Sequence, residues 1–199
     1  MKVIGITGPT GAGKTTALRA LEELGGVVID CDQVYHELLA GSAPMNAELR
    51  REFGDGVFAP DGTLERKALG TIVFQDGAAL EKLNAITHAF VGEEVDARLA
   101  RARASGAPCA GIDAIALIES GLGETCDCTV AVTAPDEVRV RRIMAREGIS
   151  EEYARTRAAA QKEEAWFRAN CTYVLVNNCA SAEEFHAKAK AFWQKILSV

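Results

Sequence analysis

Residues 8–15 read Gly8-Pro9-Thr10-Gly11-Ala12-Gly13-Lys14-Thr15 and fit the phosphate-binding loop pattern G-x-x-x-x-G-K-[ST] at every defined position. An apolar run that ends at Thr7 precedes the loop and predicts a strand. A helical pattern follows it, with Leu18, Leu21 and Leu24 on one face. The motif therefore has the strand, loop and helix setting that it requires. The alternative is a glycine-rich turn with a solvated lysine.

The residue types in this loop explain the chemistry that it predicts. Glycines let backbone N–H groups turn inward around an anion, and the N-terminus of the following helix adds partial positive charge. Lys14 reaches the β- and γ-phosphates of a nucleotide, and the Thr15 hydroxyl can ligate Mg²⁺. We therefore predict a nucleotide site formed by Gly8, Gly11, Ala12, Gly13, Lys14, Thr15 and Thr16.

Composition excludes several classes of protein. The 199 residues are 48% hydrophobic and 25% charged, which are globular proportions, and no apolar run approaches the roughly 20 residues that cross a bilayer. The net charge of -6 argues against a general nucleic-acid coat or an anionic-membrane binder. We find no secretory signal and expect a cytoplasmic protein. The sequence leaves its oligomeric state open.

The cysteines and histidines do not predict a structural metal site. Six cysteines are present, and without a secretion signal we expect them to be reduced. One residue separates Cys126 from Cys128, whereas zinc knuckles use two to four, and the three histidines have no ligand spacing.

Apolar β-branched runs alternate with helical periodicity, which predicts an α/β domain with a mostly parallel sheet. A long, mostly helical stretch separates the second and third predicted strands and reads as an insertion beside the sheet. Later in the chain, Gly148 interrupts a helix, Ser150 can cap the next one, and Ser181 with Glu184 forms a capping box before a last helix, 182–197. The predicted strands cover residues 3–7, 26–30, 110–118, 129–133 and 173–177.

The rest of the chain favours a small phosphotransferase among nucleotide-binding proteins. It contains neither the Asp-x-x-Gly nor the Asn-Lys-x-Asp motif of signalling GTPases. Arg139, Arg142 and Arg146 fall on one helix face and would form a cationic cover for a transferring phosphoryl group. The alternative is a solvated surface helix, with Glu137 and Glu147 as neutralising neighbours.

Asp30-Cys31-Asp32 ends the second predicted strand. In parallel sheets, ligands bind at the carboxyl ends of the strands, and these residues lie at that end. If the chain stays extended, alternation puts both carboxylates on the same side, where one can accept the proton of an attacking hydroxyl. A Mg²⁺-water ligand or a helix N-cap is an equally open interpretation.

With these features in view, the sequence resembles the dephospho-coenzyme A kinase family from end to end. Several segments are similar to those of the family. They are residues 4–8 with the loop, residues 24–26 and 28–32, and the stretch Asp61-Gly62-Thr63-Leu64-Glu65-Arg66. Thr87-His88, Gln161 and Asn177 match further positions. The sequence departs from the family pattern at four places. Ala89 stands where proline is usual, and Asp113-Ala114-Ile115 lacks the usual proline. Arg139 stands where glutamine is usual, and Cys171-Thr172 where Ala-Asp is usual.

The resemblance implies a three-layer P-loop kinase fold with a parallel five-stranded sheet, a helical substrate-binding insertion and a helical lid. It implies a core of residues 1–32, 105–135 and 170–199, a CoA-binding insertion of 33–104 and a lid of 136–169. The implied reaction transfers the ATP γ-phosphoryl group to the 3′-hydroxyl of dephospho-CoA with Mg²⁺. The implied roles are Asp32 as the base, Arg66 and His88 on the acceptor, and Lys14, Arg142, Arg146 and Asn177 at the nucleotide.

Two other functions stay open from the sequence. A nucleoside or nucleotide kinase would share the loop and the lid but act on a smaller acceptor. A non-catalytic nucleotide-sensing module would bind ATP without turnover that depends on an acceptor.

Overall fold

The computed structural model describes residues 1–198. It contains a five-stranded sheet in the order β2-β3-β1-β4-β5. Strand β1 is parallel to β3 and to β4, and β4 is parallel to β5. The predicted α/β class with a parallel sheet is therefore confirmed. The strands are β1 (Lys2–Thr7), β2 (Val27–Asp30), β3 (Cys109–Asp113), β4 (Cys128–Thr133) and β5 (Tyr173–Val176).

Nine α-helices connect and flank the strands in the described residues. They are α1 (Lys14–Glu22), α2 (Cys31–Gly41), α3 (Ala43–Phe53), α4 (Arg66–Val73), α5 (Gly77–Ala104), α6 (Asp136–Glu147), α7 (Glu151–Ala159), α8 (Glu164–Asn170) and α9 (Ala182–Leu197). None of the helices in residues 1–198 has the length and apolar character needed to cross a membrane.

The chain divides into two compact units. The first, Met1–Ile29 with Arg101–Val199, contains nearly the whole sheet and helices α1 and α6–α9. Its core joins Ile4 and Ile6 of β1, Leu21 of α1 and Phe185 of α9. Trp193 of α9 is fully buried there. The core of this unit thus fixes the strand and the helix that flank the loop.

The second unit, Asp30–Ala100, is built from helices α2–α4 and most of α5. It has its own apolar core, which includes Met45, Leu49, Val57 and Leu69. A single antiparallel bridge between Phe58 and Leu64 closes the turn before α4. This unit covers most of the segment in which the sequence predicts an insertion. Its role in binding CoA stays a prediction.

The prediction for the third strand was wrong at its end. The strand stops at Asp113 instead of continuing to Ile118, although the apolar run does continue. After Asp113 the chain turns out of the sheet, and the Ile115 carbonyl accepts a hydrogen bond of 3.1 Å from the Thr7 hydroxyl. Leu117 is fully buried against β1, whereas Ile115 is 57% exposed. The part of the apolar run after Asp113 therefore forms a turn and not a strand, which its composition alone does not predict.

Helix capping follows the sequence closely. The Ser150 hydroxyl accepts a hydrogen bond from the Tyr153 N–H, and α7 begins at Glu151 as predicted. The Ser181 hydroxyl accepts from the Glu184 N–H at 3.1 Å, and α9 spans the predicted residues. The Glu184 carboxylate, however, accepts from the N–H of Ala180 and not from that of Ser181.

Candidate active site

The phosphate-binding loop connects β1 to α1 and bends where its glycines allow. Gly13 has φ 106° and immediately precedes α1, which begins at Lys14. Gly8 has φ 138°, and a Cβ there would lie 2.1 Å from the backbone oxygen of Val132 in β4. An L side chain rarely adopts these φ values, and at Gly8 it would also collide with backbone. Both positions therefore require glycine for steric reasons.

A cavity of about 360 Å³ opens over the loop. The loop contributes one wall, and Arg142 and Arg146 of α6 contribute cationic side chains. Nucleotide phosphates are the kind of anion that backbone N–H groups, a lysine and two arginines bind together. The complete lining is Pro9, Thr10, Gly11, Gly13, Lys14, Thr15, Ile115, Arg142 and Arg146.

The other predicted loop residues lie behind this lining. The Gly8 carbonyl accepts a hydrogen bond of 3.4 Å from the Lys14 ammonium. Ala12 is fully buried, and Thr16 is in the first turn of α1, where its N–H donates to the Gly13 carbonyl. These residues shape the loop from its inner side.

Lys14 faces an acidic residue, Asp113, whose place in the site the sequence alone did not predict. Its Nζ lies 3.8 Å from Oδ1 of Asp113, and each side chain is only 17% exposed. Asp113 is the last residue of β3 and pairs in register with Ile6 of β1, the strand that leads into the loop. The available signal was an acidic residue ending a buried strand, which is where P-loop proteins place a second magnesium ligand.

Arg142 and Asn177 hold the outer side of the loop. The Arg142 guanidinium donates to the carbonyls of Gly11 and Ala12 at 3.2 and 3.3 Å and to the Asn177 side-chain oxygen at 3.4 Å. The Asn177 amide donates to the Ala12 carbonyl at 2.8 Å, and Asn177 is 2% exposed. Burial lowers the pKa of Arg142 from its usual range. These donors satisfy carbonyls of a loop whose N–H groups are needed for phosphate.

The three arginines predicted to act as one set have three different environments. Arg139 is 4% exposed, and its guanidinium donates to the carbonyl of Thr10 at 3.1 Å. Arg142 reaches both the loop and the cavity, whereas Arg146 has a 61% exposed side chain that pairs with Glu147 at 2.6 Å. The solvated-helix alternative therefore describes Arg146 in part and does not describe Arg139.

The chain does not stay extended after Asp30, so Asp30 and Asp32 do not share one side by alternation, and the helix N-cap alternative describes Asp30. The chain enters α2 at Cys31, and the Asp30 carboxylate accepts hydrogen bonds from the N–H groups of Asp32 and Gln33 at 2.9 and 3.0 Å. Asp30 is the N-cap of this helix, because its oxygen satisfies N–H groups that have no partner inside the helix. Asp32 is exposed in the first turn of α2 and has no capping role.

The residues predicted to contact the acceptor lie in the second unit. Asp32, Arg66 and His88 are exposed and belong to α2, α4 and α5 respectively. The Arg66 guanidinium makes a close contact with Nδ1 of His36 in α2. Arg66 therefore joins α4 to α2 within this unit.

No cluster of three His, Cys, Asp or Glu side chains in residues 1–198 could hold a metal ion by itself. Mg²⁺ in phosphoryl-transfer sites does not need one, since it takes one or two protein oxygens and completes its shell with phosphates and water. The exposed Thr15 hydroxyl and the Asp113 carboxylate are hard oxygen donors of this kind. This donor set suits Mg²⁺.

Comparisons with known proteins agree with this geometry. Residues 2–183 match the family model described as dephospho-CoA kinase. A dephospho-CoA kinase of Geobacter sulfurreducens is 40% identical over 197 residues, which are 98% of each chain. Among solved structures, TT1252 from Thermus thermophilus superposes with a TM-score of 0.78 at 34% identity, over 98% of this chain and 97% of that one.

A more distant structure supports the fold alone. The dephospho-CoA kinase from Campylobacter jejuni superposes with a TM-score of 0.74 at 23% identity, over 100% of this chain and 98% of that chain. The family model and the Geobacter relative together span almost all of the chain. The chain therefore belongs to the dephospho-CoA kinase family.

Proposed function

We propose that this protein transfers the γ-phosphoryl group of ATP to the 3′-hydroxyl of dephospho-CoA and releases CoA and ADP. The observation that carries the proposal is the cavity over the loop, which joins a complete phosphate-binding motif to Arg142 and Arg146 in a chain of this family. We infer the acceptor from the names of the relatives. The loop and the two arginines are the groups that bind the triphosphate.

The first unit binds and polarises the nucleotide. Inward N–H groups of the loop and the N-terminus of α1 hold the phosphates, and Lys14 neutralises charge on the β- and γ-phosphates. Arg142 and Arg146 add positive charge where negative charge spreads over the transferring group. Asn177 acts behind the loop, since its amide is used on the Ala12 carbonyl.

Mg²⁺ fits the donors of this unit, with Thr15 and Asp113 as its protein ligands. When bound, the ion would neutralise negative charge on the phosphate oxygens. Lys14 lies 3.8 Å from Asp113 and balances the charge of this carboxylate. The Asp113 carboxylate therefore lies beside the lysine that contacts the nucleotide phosphates in this proposal.

The acceptor side follows the family resemblance. Asp32 takes the proton of the acceptor's 3′-hydroxyl while the oxygen of that hydroxyl forms a bond to the γ-phosphorus. The bond between the γ-phosphorus and the β-γ bridging oxygen breaks at the same time, and ADP leaves. Arg66 and His88 bind the acceptor, residues 33–104 form the CoA-binding insertion, and residues 136–169 form a lid. Lid closure would exclude water, which otherwise competes as the acceptor.

A coupled assay of ADP release tests the acceptor. Dephospho-CoA should give turnover that depends on both Mg²⁺ and the acceptor, whereas CoA, whose 3′-position is already phosphorylated, should give none. Adenosine and nucleoside monophosphates distinguish the nucleoside-kinase alternative. If dephospho-CoA gives no more turnover than one of these smaller acceptors, the acceptor assignment fails. ATP binding without any turnover would favour a sensing module.

A further inference from the structure

Arg139 is a buried cation whose hydrogen bonds go to protein groups. Its Nε donates to the Thr10 carbonyl at 3.1 Å, and its Nη2 donates to the Gln161 side-chain oxygen at 2.7 Å and to the Ala158 carbonyl at 3.4 Å. Its Nη1 pairs with Asp136 at 2.9 Å. With four donor contacts made and 4% exposure, this guanidinium is held inside the protein.

Gln161 completes the connection to the same loop residue. Its side-chain oxygen accepts from the Thr10 N–H at 3.0 Å, and its amide nitrogen donates to the Thr10 hydroxyl at 3.1 Å. Arg139 takes the remaining polar group, the Thr10 carbonyl. The backbone and side chain of Thr10 are therefore fixed by two residues, one in α6 and one just after α7.

The loop also packs directly on the backbone of α6. Gly11 has φ 81°, and a Cβ at this position would lie 2.8 Å from the carbonyl oxygen of Arg139. Arg146 lies seven residues further along α6, about 10 Å at 1.5 Å per residue. The start of α6 is thus joined to the loop, and its exposed cationic residue is two turns away.

We propose that Arg139 and Gln161 are positioning residues, which fix the tip of the loop at Thr10 so that nucleotide phosphates meet an already ordered set of N–H groups. The inference rests on the proposed use of ATP and adds a role that differs from those of Arg142 and Arg146. A preordered site binds more tightly because less freedom is lost when the ligand arrives. Removing either residue should weaken nucleotide binding, although neither needs to touch phosphate.

The test compares Arg139→Met and Gln161→Met with Arg141→Met. Arg141 is an exposed neighbour on α6 whose Nε bonds only within its own helix, to the Glu137 carbonyl. Calorimetric titration with a non-hydrolysable ATP analogue should show about tenfold weaker binding for the first two variants and less than about twofold change for the control. KM for ATP should rise similarly, with KM for dephospho-CoA nearly unchanged.

The double variant tests whether the two residues act as a unit. Since both residues act on Thr10, the affinity of the Arg139→Met/Gln161→Met protein for the analogue should be about that of the single variant with the lower affinity. The fold-losses of the two single variants should not multiply. Circular dichroism and melting temperature establish that each protein is folded. If Arg139→Met does not fold, Gln161→Met carries the same binding prediction without removing a buried charge.

Unchanged analogue affinity in folded Gln161→Met, with or without a lower melting temperature, would show a purely structural role and overturn the proposal. Fully multiplicative losses in the double variant would overturn it as well. Failure of the proposed function has a different signature, because the wild-type protein would then bind the analogue but release no ADP with dephospho-CoA. The binding comparison would still test Arg139 and Gln161 in that case.

Discussion

Asn177 and Arg142 meet in a hydrogen bond of 3.4 Å, and each also donates to the carbonyl of Ala12 in the phosphate-binding loop. The three groups form a closed arrangement just beyond β5. Because Asn177 is 2% exposed, water cannot easily replace its amide. The end of β5 therefore determines how firmly the loop is held, although it is far from the loop in sequence.

Asn177→Leu should lower the free energy of unfolding by about 1–3 kcal/mol, since it leaves the buried Ala12 carbonyl without one of its donors. It should also weaken ATP binding, because the loop backbone is less constrained. Urea unfolding and analogue titration measure the two effects. Asn178→Ala is the matched control, since Asn178 is exposed and accepts only from Lys188 among the bonds described. Equal effects of the two substitutions would contradict this role for Asn177.

Asp30 and Asp32 should respond to substitution in opposite ways. Asp30→Ala removes the N-cap of α2 and should cost about 0.5–2 kcal/mol of stability, with kcat changed little. Asp32→Asn leaves the cap in place and should lower kcat by about a hundredfold or more if Asp32 is the base, with stability and ATP binding unchanged. Urea unfolding and steady-state kinetics on both variants measure this crossed pattern. Near-normal kcat in Asp32→Asn would remove its role as the base.

Local sequence signals predicted much of this fold. The loop, the helix that follows it, the Ser150 cap and the whole of α9 depend on glycines, capping side chains and apolar periodicity within a few residues. These features form wherever the local chain allows them and the apolar face finds a partner. The predicted bounds of such elements are therefore close to those observed.

Features that depend on distant contacts were not predictable in the same way. Helical periodicity placed Arg139 beside Arg142 and Arg146, but its burial depends on Thr10 and Gln161, which are far away in sequence. The pairing of Lys14 with Asp113 likewise depends on β3 lying next to β1. The choice between the two interpretations of Asp30 depended on a local feature, because its capping bonds start α2 directly after the strand.

Cys126 should make the stability of the protein depend on pH in the alkaline range. Burial raises the pKa of its thiol from 9.0 to about 11. The folded state therefore holds the proton more tightly than the unfolded state, so this contribution is complete below pH 9.0 and is lost as the pH rises towards about 11. Urea unfolding of wild type and Cys126→Ala at about pH 8 and about pH 10 should show a smaller stability difference at the higher pH. A difference that does not change with pH would contradict the prediction.

Arg146 should affect catalysis without affecting stability. Its side chain lines the cavity but is 61% exposed, and its ion pair with Glu147 is of the surface type that contributes little to folding. Arg146→Met should therefore change the free energy of unfolding by less than about 0.5 kcal/mol. It should lower kcat by about tenfold or more, because a cation beside the transferring phosphoryl group is lost. Steady-state kinetics at saturating ATP and dephospho-CoA measure this effect, with Arg141→Met as the control from the same helix. Wild-type kcat in Arg146→Met would place this arginine outside the reacting site, and equal losses in both variants would indicate a general effect of charge on α6.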